Sequence, residues 1–375
     1  MQAPESFARR LDARVAEALD KRLVRRVGSG RSTWLARALA FALVTPVHLV
    51  SVALTAGAIA LLVRGAGWWQ WLMAAFLLSI AWTTRPQLGG KAARGSVLVD
   101  PVRAPALAAL VADVAQLLGT RPPEELRLDS HINAYVAPRR LRGRQLVLGA
   151  PLWVALTPQA RVALLGHEIG HLAHGDLLSS RYVGSAYNTL GRWVDLLDPL
   201  GSELFLHSTP VLVRAAMAPP RLVVSAYLRL LDAVNSAASR RQELFADLAS
   251  AVAAGSDGAI DSLEVMLTTD AIDVAANRAA VDPTRPDLGN AIAARMDAYD
   301  DRQRAAARRG GEHDRRSIDA SHPPTVDRIR LIESVQRSPA GLTLDADRSR
   351  LIDKELAPYL DRMFKRLGER YRYVR

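Results

Sequence analysis

The chain has 375 residues, of which 49 % are apolar, and its mean hydropathy of +0.03 favours a soluble domain joined to a short membrane part. The absence of cysteine excludes disulfides and thiolate metal sites, so any metal ligand has to be His, Asp or Glu. A net charge of +11 suits nucleic acid or an anionic membrane, and because no nucleic-acid motif accompanies it we expect membrane proximity and no nucleic-acid partner.

The N-terminal part predicts a membrane anchor. Residues 1–37 form a basic tail with nine Lys and Arg against four Asp and Glu. Residues 38–84 contain two uncharged apolar runs, 38–63 and 68–84, and a spanning helix needs about 20 such residues. We predict a transmembrane helical hairpin over 38–84, with the tail and the remaining chain on the cytoplasmic side. The alternative is a buried helical hairpin in a soluble core, whereas a signal peptide fits worse because the apolar run is too long.

From residue 97 onward the composition is that of a globular domain, which we place at 97–337 and expect to be mainly α-helical with a small β-sheet. A C-terminal amphipathic helical segment follows at 338–375. The predicted helices span 104–118, 157–175, 221–254, 325–337 and 348–370, and the predicted strands span 126–129, 133–137 and 145–148.

The helix at 157–175 carries the pattern His-Glu-x-x-His. His167 and His171 are four residues apart, so their imidazoles lie on one helix face and can reach a single Zn²⁺. Glu168 lies about 100° round the helix, where it can take a proton from water bound to the metal. The alternative is a pair of histidines that make ordinary hydrogen bonds in the core.

A later helix offers a third ligand in the stretch SRRQELFADLAS, residues 239–250. Glu243 and Asp247 share a face, so Glu243 can complete the metal site while Asp247 accepts the far N–H of a ligating histidine. The spacing Glu-x-x-x-Asp is also common on solvated helices, so it indicates a metal ligand only in combination with the upstream His-Glu-x-x-His motif.

Four stretches in this order resemble the HtpX-type and CAAX-prenyl-endopeptidase family of membrane zinc peptidases. The stretches are DSHINAYVAP, LLGHEIGHLAHGD, SRRQELFAD and SHPPTVDRI. The resemblance implies an α+β gluzincin fold, with one Zn²⁺ per chain held by His167, His171 and Glu243. It implies that Glu168 is the general base and that Asp247 orients a ligand.

The resemblance also assigns roles to residues that the sequence alone leaves open. It makes His322 a donor to the oxyanion, although a histidine before two prolines is by default a turn residue. It makes Asn133 and Ala134 part of a strand that binds an extended peptide, where a turn asparagine is the alternative. It also places Asp176 and Arg328 around the metal site. Arg240 is expected to be a structural counter-charge to the acidic residues of that site.

The chain departs from that family between its two metal helices, where the relatives usually span the membrane again. Prolines, arginines and a histidine interrupt residues 203–231, which predicts a surface or membrane-grazing helix pair. The prediction is a two-span membrane zinc endopeptidase that acts on protein or peptide substrates at the lipid bilayer. The rival hypotheses are an inactive zinc-binding scaffold and, from the charge alone, a nucleic-acid-binding membrane protein.

Overall fold

The structure is a computed structural model that describes residues 32–65, 67–86, 95–138, 143–174, 177–197, 211–284, 287–313, 323–335 and 337–373. The described chain forms two compact units. The helical unit comprises Gly28–Gly89 and Asp176–Ser239, and the globular unit includes Gly90–Gly175 and Arg240–Arg375.

The described elements are mostly helices, with one small sheet. The helices are α1 (Ser32–Arg64), α2 (Trp68–Thr84), α3 (Pro105–Leu117), α4 (Ala150–Ala155), α5 (Pro158–His174), α6 (Leu177–Leu197), α7 (Val211–Met266), α8 (Thr269–Val281), α9 (Leu288–Asp297), α10 (Asp301–His313), α11 (Thr325–Ser334) and α12 (Ala346–Tyr373). The strands are β1 (Val97–Val99), β2 (Glu125–Asp129), β3 (Ala134–Pro138) and β4 (Arg144–Gly149).

In the helical unit, helix α1 is the one described helix that is long and apolar enough to cross a membrane, with a mean hydropathy of 2.1 over Ala38–Arg64. Helix α2 has 17 residues, or roughly 25 Å, against a hydrocarbon core of about 30 Å. The prediction of a first span therefore agrees with the length and composition of α1. The second span stays a prediction.

The helical unit has a small buried apolar cluster, a few part-buried hydrogen bonds between its helices and many exposed apolar side chains. Tyr227 Oη donates to the Leu43 carbonyl at 2.6 Å, and His48 Nε2 lies 3.0 Å from Ser185 Oγ. Most of the large apolar side chains that are exposed among the described residues belong to this unit, and Val63, Trp68 and Leu212 are 76–81 % exposed. So many exposed large apolar side chains are unusual in a water-soluble bundle.

Pro219 and Pro220, two of the prolines predicted to interrupt residues 203–231, do not interrupt the helix that the structure describes there. Both prolines lie inside α7, and the helix continues past them within the helical unit. Proline removes a hydrogen-bond donor but keeps a helical φ, and the chain around the pair is exposed, so the helix continues at the cost of two unmade bonds. Residues 203–210 lie outside the described part of the chain.

The sheet of the globular unit has the order β1-β2-β4-β3. Strands β2 and β4 are parallel, and β3 returns antiparallel to β4 with Val136 opposite Leu146. The last two predicted strands, at 133–137 and 145–148, thus correspond to the neighbouring strands β3 and β4, while β1 was not predicted. Strand β3 lies at an edge of this sheet, which leaves one side of it without a strand partner in the described sheet.

Helix α12 packs into the same core as the sheet. Its apolar face contributes Ile352, Leu356 and Met363, all fully buried. The Glu355 carboxylate accepts the backbone N–H groups of Ala106 and Leu107 at 3.0–3.3 Å, at the N-terminus of α3. The C-terminal segment is thus part of the globular core in its packing.

Candidate metal centre

The sequence of helix α5 explains where the helix begins and which face of it is buried. Thr157 Oγ1 accepts the Ala160 N–H at 3.3 Å, which caps the helix ahead of Pro158. The apolar face of α5, which includes Leu165 and Ile169, is fully buried in the core. The cap and this buried face fix the rotation of α5, and with it the direction of the two histidines.

Two glycines of α5 let helix α7 approach closely. A Cβ atom built on Gly166 would lie 2.8 Å from the Ala253 Cβ, and one on Gly170 would lie 2.8 Å from the Ala249 Cβ. Ser250 Oγ adds a hydrogen bond of 2.9 Å to the Ala163 carbonyl. The sequence analysis missed these glycines, although a Gly-x-x-x-Gly spacing interleaved with the histidine motif is a signal for close helix contact.

This close approach brings three donor side chains together. The His167 and His171 Nε2 atoms lie 3.2 Å apart, and Glu243 oxygens lie 3.6 Å from His167 Nε2 and 3.5 Å from His171 Nε2. Donors bound at about 2.0–2.1 Å to a tetrahedral zinc ion lie roughly 3.3 Å from one another. Two imidazoles and a carboxylate at these spacings fit a zinc ion in both chemistry and size.

Asp247 and Arg328 hold His167 in place. The Asp247 carboxylate lies 3.1 Å from His167 Nδ1, and Arg328 donates to both of its oxygens, at 2.9 Å from Nε and 2.6 Å from Nη2. Burial alone would raise the pKa of Asp247, but the Arg328 guanidinium holds that pKa well below its usual range. An ionised Asp247 accepts the Nδ1 proton, which leaves the Nε2 lone pair of His167 for a metal.

Glu168 is 6 % exposed and lies between α5 and the edge strand. Burial raises the pKa of Glu168 to about 7, with the nearby Glu243 adding to this effect and a hydrogen bond from the Val136 N–H opposing it. Burial, together with the neighbouring His167, lowers the pKa of His171 to about 4. A carboxyl group with a pKa near 7 is suited to both accepting and returning a proton at neutral pH.

The two histidines line a cavity of about 510 Å³. Its lining includes His167, Glu168 and His171 together with Asn133 and Ala134. The two predicted substrate-binding residues therefore lie on the same cavity as the two predicted histidine ligands. The Gly149 N–H donates to the Asn133 carbonyl at 2.8 Å, and this hydrogen bond holds the Asn133 backbone in place.

The structure does not describe the side chains of three further residues that were predicted to belong to the site. His322 and Asp176 lie outside the described residues, and for Arg240 only the helical backbone of α7 is described. Pro323, the residue after His322, lines the cavity.

Two imidazoles and a glutamate on facing helices, with a buried second glutamate beside them, resemble the metal centre of a gluzincin-type metallopeptidase. A family model described as Peptidase family M48 matches residues 101–336, which is more than half of the chain. The chain therefore belongs to peptidase family M48, and the HtpX-type resemblance is confirmed.

Curated relatives match over shorter stretches. The "Protease HtpX homolog" of Thermoplasma volcanium is 38 % identical over 78 residues, which are 20 % of this chain and 25 % of that protein. The "Protease HtpX homolog 1" of Sulfurisphaera tokodaii is 28 % identical over 93 residues, or 24 % and 30 % of the two chains. The matches thus span less than a third of each relative. No solved structure matches the chain.

Proposed function

We propose that this protein is a membrane-anchored zinc endopeptidase that hydrolyses peptide bonds of membrane or membrane-proximal proteins. The observation that carries the proposal is the set of donor atoms from His167, His171 and Glu243 at 3.2–3.6 Å, with the Glu168 carboxyl group beside them. Membership of peptidase family M48 supports the same reaction class.

A zinc ion held by His167, His171 and Glu243 would supply Lewis-acid chemistry, which polarises the scissile carbonyl and acidifies water. Glu168 takes the proton from the attacking water and returns it to the leaving amine. Its raised pKa suits both steps near neutral pH. Asp247 and Arg328 keep His167 in the correct tautomer and orientation during the reaction. His322 is proposed to donate a hydrogen bond to the developing oxyanion, and Asp176 and Arg240 to support the acidic site.

The edge strand β3 provides a binding surface for the substrate. Its free side can pair with an extended peptide through main-chain hydrogen bonds, and Asn133 and Ala134 line the cavity at the start of that strand. A peptide paired with this strand would lie close to the proposed base, because the Val136 N–H of β3 donates to the Glu168 carboxyl group. This arrangement favours an unfolded or extended protein segment as substrate.

The helical unit is proposed to hold the protein in the cell membrane. Helix α1 has the length and composition of a span, α2 is proposed as the second span, and the exposed apolar side chains of the unit fit a lipid bilayer. The basic tail at 1–37 favours a cytoplasmic position for the tail and for the globular unit.

The proposal is tested with the full-length chain purified in detergent. We expect one zinc per chain and cleavage of an unfolded protein substrate by the wild type. The Glu168→Gln variant should retain zinc and lose cleavage, because it removes the base without removing a ligand. Equal cleavage by the variant and the wild type, or a wild type that binds no zinc, would contradict the proposal.

A further inference from the structure

The charges of helix α12 are distributed unevenly along its length. In its N-terminal half, Arg348 pairs with Asp113 at 2.7 Å. Arg350 pairs with Asp347 one helical turn before it. The basic side chains of this half are therefore compensated by neighbouring carboxylates.

The C-terminal half of α12 carries an excess of positive charge. Between residues 354 and 372 the exposed charged side chains are six basic and two acidic, namely Lys354, Arg362, Lys365, Arg366, Arg370 and Arg372 against Asp361 and Glu369. Among the described residues, Arg362, Lys365 and Arg366 form no ion pair. Because like charges on one surface repel each other, an anionic partner stabilises such a cluster.

Helix α10, which is also rich in arginine, shows the opposite arrangement. Arg304 lies 3.2 Å from carboxylate oxygens of both Asp261 and Glu264. Arg308 lies 2.6 Å from Glu264 and 2.9 Å from Glu333. These arginines of α10 join it to α7 and α11, whereas the outer arginines of α12 are left for a partner outside the chain.

The basic side of α12 lies along the segment by which the chain enters the globular unit. Arg366 donates to the Gly95 carbonyl, and Tyr359 Oη accepts the Asp100 N–H at 3.3 Å. Residues 359, 362 and 366 follow the spacing i, i+3, i+7 and so share one side of the helix. Arg362 therefore lies on the side of α12 that the entering segment follows.

The turn after β1 adds an exposed apolar side chain to this part of the surface. Val102 is 83 % exposed, and the side chain of the adjacent Arg103 is 80 % exposed. The turn is ordered, because the Asp100 carboxylate accepts the Val102 N–H and the Asp100 carbonyl accepts the Ala104 N–H, both at 2.9 Å. Exposed apolar and basic side chains together are the combination that binds an anionic bilayer surface.

This part of the surface is also close in sequence to the proposed second span. Helix α2 ends at Thr84, and Gly95 follows eleven residues later. Eleven residues extend over at most roughly 36–40 Å, which is about the thickness of a bilayer with its headgroups. The tether therefore lets this surface reach the headgroups on the side where α2 ends, whatever the arrangement of the two units.

We propose that a basic edge of the globular unit, defined as Val102, Arg103, Arg362, Lys365 and Arg366, docks on anionic lipid headgroups. The lipids belong to the membrane that holds the helical unit, and each basic residue near such a surface strengthens docking about fivefold. The inference rests on the proposed membrane anchorage. It goes beyond the peptidase reaction because it gives the globular unit its own contact with lipid.

The test follows lysine acylation by mass spectrometry in the full-length chain, incorporated into lipid nanodiscs. The sequence has four lysines, and the two that the structure describes, Lys354 and Lys365, are both exposed on α12. In discs with about 30 % phosphatidylglycerol, Lys365 should react at least about fivefold more slowly than in discs of phosphatidylcholine alone. Salt at about 0.5 M should abolish this difference, because the surface potential is then screened within a few ångströms.

Two variants with the same change of charge separate the basic edge from net charge. Arg362→Glu replaces a basic residue of the edge by an acidic one, and it should remove most of the protection of Lys365. The matched control is Arg302→Glu on α10, where the side chain is also exposed and outside the edge, and it should leave the protection unchanged. Thermal unfolding of both variants checks that each is folded. Equal loss of protection in the two variants would overturn the inference.

The remaining outcomes distinguish the basic edge from the anchorage on which it rests. Equal acylation of Lys365 in neutral and anionic discs would overturn the inference and leave the anchorage intact. Protection by added RNA in neutral discs, without protection by anionic lipid, would overturn it in favour of a nucleic-acid ligand. A chain that does not enter the discs but is protected by phosphatidylglycerol vesicles would support the basic edge and contradict the anchorage, and a chain that does neither would contradict both.

Discussion

Replacing Gly170 by alanine should weaken zinc binding, although glycine has no side chain with which to hold the ion. The added Cβ would lie 2.8 Å from the Ala249 Cβ and 3.2 Å from the Ala246 Cα, whereas carbon atoms in contact prefer about 3.5–4.0 Å. Helices α5 and α7 would therefore have to separate by roughly 0.7 Å at this contact. Glu243 and the histidine pair lie on opposite sides of that contact.

The displacement is large compared with the tolerance of the metal site. Glu243 lies 3.5–3.6 Å from the two imidazole nitrogens, and a further 0.7 Å gives roughly 4.2 Å. At that spacing both donors reach a zinc ion at about 2.1 Å only from opposite sides, which is not tetrahedral. We expect zinc affinity to fall by about 10–100-fold, as for other losses of ligand positioning. The better helix propensity of alanine, about 1 kcal/mol, partly offsets an overpacking cost of about 1–3 kcal/mol.

The assay is competition for zinc between the full-length chain and a chromophoric chelator, together with thermal unfolding. Gly184→Ala in α6 is the matched control, because a Cβ there has no neighbour within 4 Å. The control should bind zinc as the wild type does. If Gly170→Ala and Gly184→Ala bind zinc equally well, close packing of α5 on α7 does not set the metal geometry and the reasoning is refuted.

Three other predictions concern the surroundings of the site. Asp247→Asn should lower zinc affinity by about 10–100-fold. It should also lower the free energy of unfolding by about 3–5 kcal/mol, because Arg328 loses its buried carboxylate partner, and denaturant titration of the metal-free chain measures this loss. Because the folded-state pKa of Asp247 is depressed, this stability difference should be complete above pH ~4 and shrink as the pH falls below that value, and a difference that grows in acid would be contrary evidence. Glu355→Ala should lower the free energy of unfolding by about 0.5–2 kcal/mol through loss of the α3 cap and leave cleavage unchanged. Glu369→Ala, on the exposed face of α12, is the control and should change neither. Equal unfolding curves for the two variants would show that Glu355 does not cap α3.

The sequence predicts those parts of the site that depend on local spacing. His167, Glu168 and His171 occupy one turn and a half of a single helix, so their mutual geometry follows from helical periodicity once Thr157 and Pro158 mark its start. The hairpin of β3 and β4 is likewise local, because only a short loop separates the two strands. The pairing of Glu243 with the histidines required the motif order of a known family as well.

The parts that the sequence did not predict depend on contacts between distant segments. Gly166 and Gly170 allow close packing only because Ala253 and Ala249 lie opposite them, and the sequence of neither helix identifies the other as its packing partner. The break of α7 at Gly255 agrees with the predicted helix end at residue 254, whereas the N–H groups of Gly341 and Leu342 that bind the Val252 and Ala253 carbonyls come from a distant segment. Pro219 and Pro220 do not interrupt α7, because proline keeps a helical φ and the exposed chain around the pair loses only two hydrogen bonds.

X-ray absorption spectroscopy of the zinc-loaded full-length chain tests the central claim most directly. The account predicts one zinc per chain, with two imidazole nitrogens and a carboxylate oxygen at about 2.0–2.2 Å, and loss of the carboxylate contribution in the Glu243→Ala variant. A zinc environment that is the same in wild type and Glu243→Ala would contradict it, because the helices α5 and α7 would then not share the ion.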